Sequence, residues 1–113
     1  MIFTKTVGYA LQTVIYLSKF SKKKPMLQKE IASALDIPHH YLGKILQPLT
    51  KNDIVSSKTG AYGGFYLAKP ADEIVLYDIV EIFEKKDKLE TKIVRLKSLK
   101  NYTKLIDYLE NKR

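Results

Sequence analysis

The 113 residues contain no cysteine. Disulfides, thiolate zinc sites, thiol nucleophiles and cysteine-ligated iron–sulfur clusters all need that residue, so this sequence excludes them together. Long apolar runs are missing too. No stretch approaches the roughly 18 residues that a membrane-spanning helix requires. The opening Met1-Ile2-Phe3-Thr4-Lys5 lacks the basic-then-apolar order of a secretion signal, so a cytoplasmic location with no membrane partner is expected. Signatures of catalysis are also absent. There is no Ser-His-Asp pattern, no phosphate loop and no pair of carboxylates in a pocket-like context, and a non-enzyme is expected. The glycines between Gly60 and Gly64 fall between two strand-like segments and not before a helix, so they form no nucleotide cradle.

What remains is a chain sized for one domain, with 45% hydrophobic and 11% aromatic residues to build its core. It carries 20 Lys+Arg against 12 Asp+Glu, a net charge of +8. The surplus is uneven. Residues 1–70 hold ten lysines against Glu30, Asp36 and Asp53, whereas residues 71–113 hold ten basic and nine acidic residues. A lysine-rich solvated surface accounts for such an excess equally well, so the architecture carrying the lysines has to decide.

Apolar residues recur at helical spacing from Lys5 to Phe20, at Val7, Ala10, Leu11, Val14, Leu17 and Phe20. Ser21-Lys22-Lys23-Lys24-Pro25 ends that helix, because like charges repel and Pro25 biases its predecessor away from helix. A second helix fits Gln28 to Leu35, and Asp36-Ile37-Pro38 makes a tight turn into a third, from about His39 to Lys51. The inner face of the third helix is Leu42, Ile45, Leu46 and Leu49, and its outer face is His39, His40, Gly43, Lys44 and Gln47. Pro48 is expected to distort or shorten it. Ile54 to Lys58 and Phe65 to Ala68 read as strands joined by a glycine-rich turn, a β-hairpin. A further helix fits Leu76 to Lys85, presenting Ile79, Val80, Ile82 and Phe83. A last long helix carries Leu89, Ile93, Leu96, Leu99, Tyr102, Ile106 and Leu109, whose steps of three or four draw a narrow apolar stripe over roughly 30 Å.

The expected fold is therefore mainly α with a small β-hairpin wing: a winged helix-turn-helix plus a long C-terminal dimerisation helix. Residues 1–84 would form the DNA-binding domain, and residues 85–113 a short connector and the dimerisation helix. Ala32 is small enough for the close crossing of such a helix pair, and Leu35, Ile37, Leu42 and Ile45 supply the shared core. The outer face of the third helix would then present His39, His40, Lys44 and Gln47 to base edges. Thr4, Lys5, Lys29, Ser56, Ser57, Lys58 and Thr59 would hold phosphates and fix register. Tyr62, at the wing tip, is hard to bury and is assigned to the DNA backbone or a partner surface. Tyr9, Tyr16 and Tyr41 fall at core spacing and are read as packing, not as stacking platforms. His39 and His40 are adjacent, so their side chains diverge by about 100° on a helix, and no metal site is expected from them. The C-terminal stripe is too long for so short a chain to cover by itself, which favours a two-fold dimer.

Thr4-Lys5 with Tyr9-Ala10, Glu30-Ile31-Ala32, Tyr41-Leu42, Ile45-Leu46, Val55-Ser56-Ser57, Gly60-Ala61-Tyr62-Gly63-Gly64-Phe65 and Asp78-Ile79-Val80 resemble the Rrf2 family of bacterial transcriptional regulators. The likeness covers about residues 2–84. It implies a homodimer, clamped by long C-terminal helices, that binds an imperfect palindrome in double-stranded DNA and represses. Many members hold an iron–sulfur cluster on three cysteines between the helix after the wing and the dimerisation helix. Here that segment shrinks to about Lys85–Lys88 without cysteine, so the chain resembles the clusterless branch, needing no cofactor of that kind. Family members often carry an acidic or amide residue where Gly43 stands, and an arginine where Thr59 stands. Those two departures motivate an alternative: a protein-interaction module on the same scaffold with weak or non-specific DNA binding. The input signal would come from an unidentified protein or small-molecule effector, and the site of action would be the bacterial nucleoid.

Overall fold

Thr4 opens the structure as the cap of its first helix, its Oγ1 accepting the Val7 N–H at 3.2 Å. A computed structural model of the chain describes residues 4–84. Helix α1 (Lys5–Phe20) buries Val7, Ala10, Leu11, Val14 and Leu17 and ends on Ser21, whose hydroxyl and N–H both donate to the Leu17 carbonyl. Thr13 is also buried on this face, and its hydroxyl donates to the Tyr9 carbonyl at 2.8 Å, which removes the cost of an unpaired polar group.

Helix α2 (Gln28–Leu35) begins with the Glu30 carboxylate accepting the Leu27 N–H at 2.9 Å, placing negative charge where the helix dipole favours it. It closes on Asp36, which adopts the left-handed conformation at φ 56° while the Ile37 N–H returns to the Ala32 carbonyl at 3.0 Å. That closure turns the chain sharply. Helix α3 (His39–Lys51) follows at once, with Leu42, Ile45, Leu46 and Leu49 buried. Pro48 does not end this helix. Its carbonyl accepts both the N–H and the side-chain amide of Asn52, and the Thr50 hydroxyl donates to the Leu46 carbonyl, so the last turn keeps its own bonds.

Strands β1 (Val55–Lys58) and β2 (Gly64–Leu67) pair antiparallel, with Val55 opposite Leu67 and Lys58 opposite Gly64. β1 ends at Lys58 as expected but starts one residue later, and β2 lies one residue earlier than expected, starting at Gly64, which pairs with Lys58 at φ +143°. Met26 covers the other edge of β2, exchanging both backbone bonds with Phe65 at 2.9 and 2.8 Å. Two glycines make this geometry available. A Cβ on Gly63 would stand 2.2 Å from the Lys58 carbonyl oxygen, and one on Gly64 would stand 2.6 Å from that of Met26.

After a single 3-10 turn at Ala71–Glu73, helix α4 (Leu76–Phe83) buries Leu76, Ile79 and Val80, while Ile82 and Phe83 pack half-buried at the margin. It ends earlier than the sequence pattern suggested, since Glu84 is already extended at φ −125° and ψ 156°. Side chains from the four described helices, with Ile54 and Val55, meet in one core, and each fully buried leucine or isoleucine in it contributes roughly 2 kcal/mol. The dimerisation residues assigned from the sequence, Leu89, Ile93, Leu96, Leu99, Tyr102, Ile106 and Leu109, lie outside the described residues.

Candidate nucleic-acid interface

The amphipathic split of α3 is sharp. Leu42, Ile45 and Leu49 are wholly buried, whereas His39, His40, Lys44 and Gln47 are exposed on the opposite face. Gly43 sits half-buried between His39 and Gln47. All four residues expected to read bases are therefore presented to solvent on one helix.

The elements around α3 hold the remaining candidates. Lys29 is exposed on the first turn of α2. Thr4 and Lys5 are exposed at the start of α1, and the next residue, Thr6, ties that end to α3 by a 2.6 Å bond between its hydroxyl and that of Tyr41. Thr4 has a second task as the helix cap. Its Oγ1 accepts from Val7, and its hydroxyl proton remains available to an acceptor. Lys5 places its Nζ 5.8 Å from the centroid of the Tyr9 ring, and that ring meets Tyr41 edge-on at 5.5 Å. Tyr9, Tyr16 and Tyr41 are half-buried and pack against the core.

On the wing, Val55 is buried and Ser56 half-buried, while Ser57, Lys58 and Thr59 are exposed as the hairpin leaves the core. Tyr62 is 86% exposed at the hairpin tip, too much for a packing role.

One residue escaped the sequence reading. Gln28, the first residue of α2, donates its side-chain amide to the His39 carbonyl at 2.9 Å, across the helix-turn-helix corner. Its Nε2 lies 3.1 Å from where a Cβ on Gly43 would stand. The only signal in the sequence was a glycine on the outer face of a helix, a position where glycine is unfavourable unless something needs the space.

Among the described residues, no group of three His, Cys, Asp or Glu side chains could hold an ion, and no helix is long and apolar enough to cross a membrane.

Two short helices at a tight turn, the second with a buried inner and a polar outer face, followed by an edge-covered hairpin, define a winged helix-turn-helix domain. In helix-turn-helix proteins the second helix enters the major groove of DNA. Within that class the chain belongs to the Rrf2 family, described as an iron-dependent transcriptional regulator, which matches residues 3–104. A protein of Aquifex aeolicus (strain VF5), assigned by inference as an HTH-type transcriptional regulator, is 41% identical over 83 residues, 74% of this chain and 57% of the relative. The HTH-type transcriptional regulator CymR of Bacillus subtilis (strain 168) is 36% identical over 76 residues, 67% of this chain and 55% of its own. The matched part thus spans just over half the length of these curated relatives.

The solved structure of CymR, described as the global cysteine regulator of B. subtilis, superposes with a TM-score of 0.76 at 24% identity, covering 93% of this chain and 98% of that one. The IscR structure of T. potens gives 0.79 at 24% identity, covering 92% and 87%. These superpositions establish the fold. The iron in the family's description finds no matching ligand set: the 113 residues contain no cysteine, and the described ones gather no other donor cluster.

Proposed function

We propose that this chain is a homodimeric repressor that binds an imperfect palindrome in double-stranded DNA through α3 and the wing. One observation carries the reading. The outer face of α3 and the outer side of the hairpin carry His39, His40, Lys44, Gln47, Ser57, Lys58 and Thr59, all exposed, on two consecutive elements joined by the short turn at Asn52 and Asp53. The charge balance supports it. Ten lysines stand against three acids in residues 1–70, the part that forms this surface.

In this reading residues 1–84 bind DNA and residues 85–113 pair two copies. His39, His40, Lys44 and Gln47 face base edges, while Thr4, Lys5, Lys29, Ser56, Ser57, Lys58 and Thr59 engage the backbone and Tyr62 braces the wing tip against it. Binding excludes other proteins from the site, which is repression without any chemistry of the chain's own. The protein acts in the cytoplasm on the nucleoid, carries no catalytic activity, and takes its signal from an effector bound elsewhere.

Fluorescence anisotropy of labelled duplex DNA over a salt series tests this directly. Each lysine that neutralises a phosphate adds roughly 0.9 to the slope of log affinity against log salt, so several such contacts give a steep fall. A chain that binds no duplex even at about 50 mM salt would contradict the proposal. Tight capture of a protein partner that masks the wing, with no sequence preference on DNA, would favour the interaction-module reading instead.

A further inference from the structure

We infer that Gln28, a residue of the supporting helix α2, is a specificity-determining side chain that reads an adenine from the space left open by Gly43. The inference rests on the DNA-binding reading above. Gly43 is helical, so its backbone asks for no glycine, and glycine inside a helix is unfavourable relative to alanine. What occupies the space is the Gln28 amide. Its Nε2 stands 3.1 Å, and its Cδ 4.0 Å, from the point where a Cβ on residue 43 would lie. Position 43 falls between His39 and Gln47 at successive spacings of four, and both of those side chains are exposed. The amide therefore lies over the outer stripe of α3 although it comes from α2.

Its chemistry is then half committed. One Nε2 hydrogen is held by the His39 carbonyl at 2.9 Å, which orients the amide plane. The other Nε2 hydrogen and Oε1 remain uncommitted, a donor and an acceptor on the same amide. That pair matches the N7 acceptor and N6 amino donor on the major-groove edge of adenine. A phosphate would use the donor alone and set Oε1 against an anion, so a base edge is the better partner. Fixing the amide in advance on His39 also lowers the entropy lost on binding.

The test is selection of bound sequences from a randomised duplex pool by the full chain, its Gln28→Ala and Gln28→Met variants, and Gly43→Ala. The wild type is expected to select an adenine at one position of each half-site. Both Gln28 variants should lose about tenfold preference at that position alone, with the salt slope on random DNA unchanged. Gln28→Met keeps the length of the side chain, so it answers the question even where Gln28→Ala unfolds by thermal melt. Gly43→Ala should disturb the same position in the wild type and have no further effect on preference beside Gln28→Met. Unchanged preference at every position in Gln28→Met overturns the inference, as does an equal loss on selected and random DNA, the mark of a helix clasp or a phosphate contact. A wild-type chain that enriches no sequence overturns the DNA-binding reading itself, a result separate from either of those.

Discussion

The hydroxyl of Thr6 and the phenol oxygen of Tyr41 stand 2.6 Å apart, joining the first turn of α1 to the first turn of α3 across 35 positions. Beside this bond the Tyr9 ring meets the edge of Tyr41 at 5.5 Å, and Lys5 reaches toward Tyr9. The contact fixes where Thr4 and Lys5 lie relative to His39 and His40. A candidate phosphate clamp and a candidate base reader are held in one register by a part-buried hydroxyl pair.

That bond has a measurable coupling. Tyr41→Phe and Thr6→Val should each cost about 1 kcal/mol, because each strands one partner, and the double variant should cost little more than either alone. A double-mutant cycle by urea unfolding is therefore expected to give a coupling of about 1 kcal/mol. Additive losses would mean the two hydroxyls do not work as a pair.

The wing depends on Gly64. An added Cβ there would meet the Met26 backbone at 2.6 Å while the residue holds φ +143°, so neither neighbour can yield cheaply. Gly64→Ala should destabilise the fold by about 2 kcal/mol in chemical denaturation. An alanine tolerated without loss would show that β2 is not locked to Met26 as described.

Lysines on the two candidate elements should behave differently. Lys58→Ala is expected to flatten the salt dependence of binding by about one unit on every sequence. Lys44→Ala should in addition relax sequence preference. Equal losses on target and random DNA for Lys44→Ala would remove it from base reading.

Much of this architecture is legible in the sequence, for physical reasons that differ between elements. The helix pair shows itself through the spacing of Ile31, Ala32, Leu42, Ile45 and Leu49, since burial forces that period. The wing shows itself through its glycines, because few other residues reach such turns. Gln28 was invisible. Its role depends on a neighbour fifteen residues away, and the outer-face glycine that makes room for it does not say which side chain fills the space. The double use of Thr4, as helix cap and candidate phosphate donor, was hidden for a similar reason: a capping threonine and a binding threonine look alike until the helix start is placed.

The apolar stripe from Leu89 to Leu109 carries the proposed dimer. Placing a charge in it, as Ile93→Glu or Leu96→Glu, should bury an unpaired carboxylate at the two-fold contact and yield monomers by light scattering. DNA affinity would fall with it, because two half-sites would no longer be held by one particle. Persistent dimers in both variants would contradict the assignment of that helix.

The central claim, sequence-specific binding of duplex DNA by α3 and the wing, is tested most directly by selecting genomic fragments that the full chain retains at a stated salt concentration. The account predicts a recurring imperfect palindrome, lost from the selected pool when Lys44 and Gln47 are replaced by alanine. Fragments retained without any shared sequence, or in equal measure by that double variant, would contradict it.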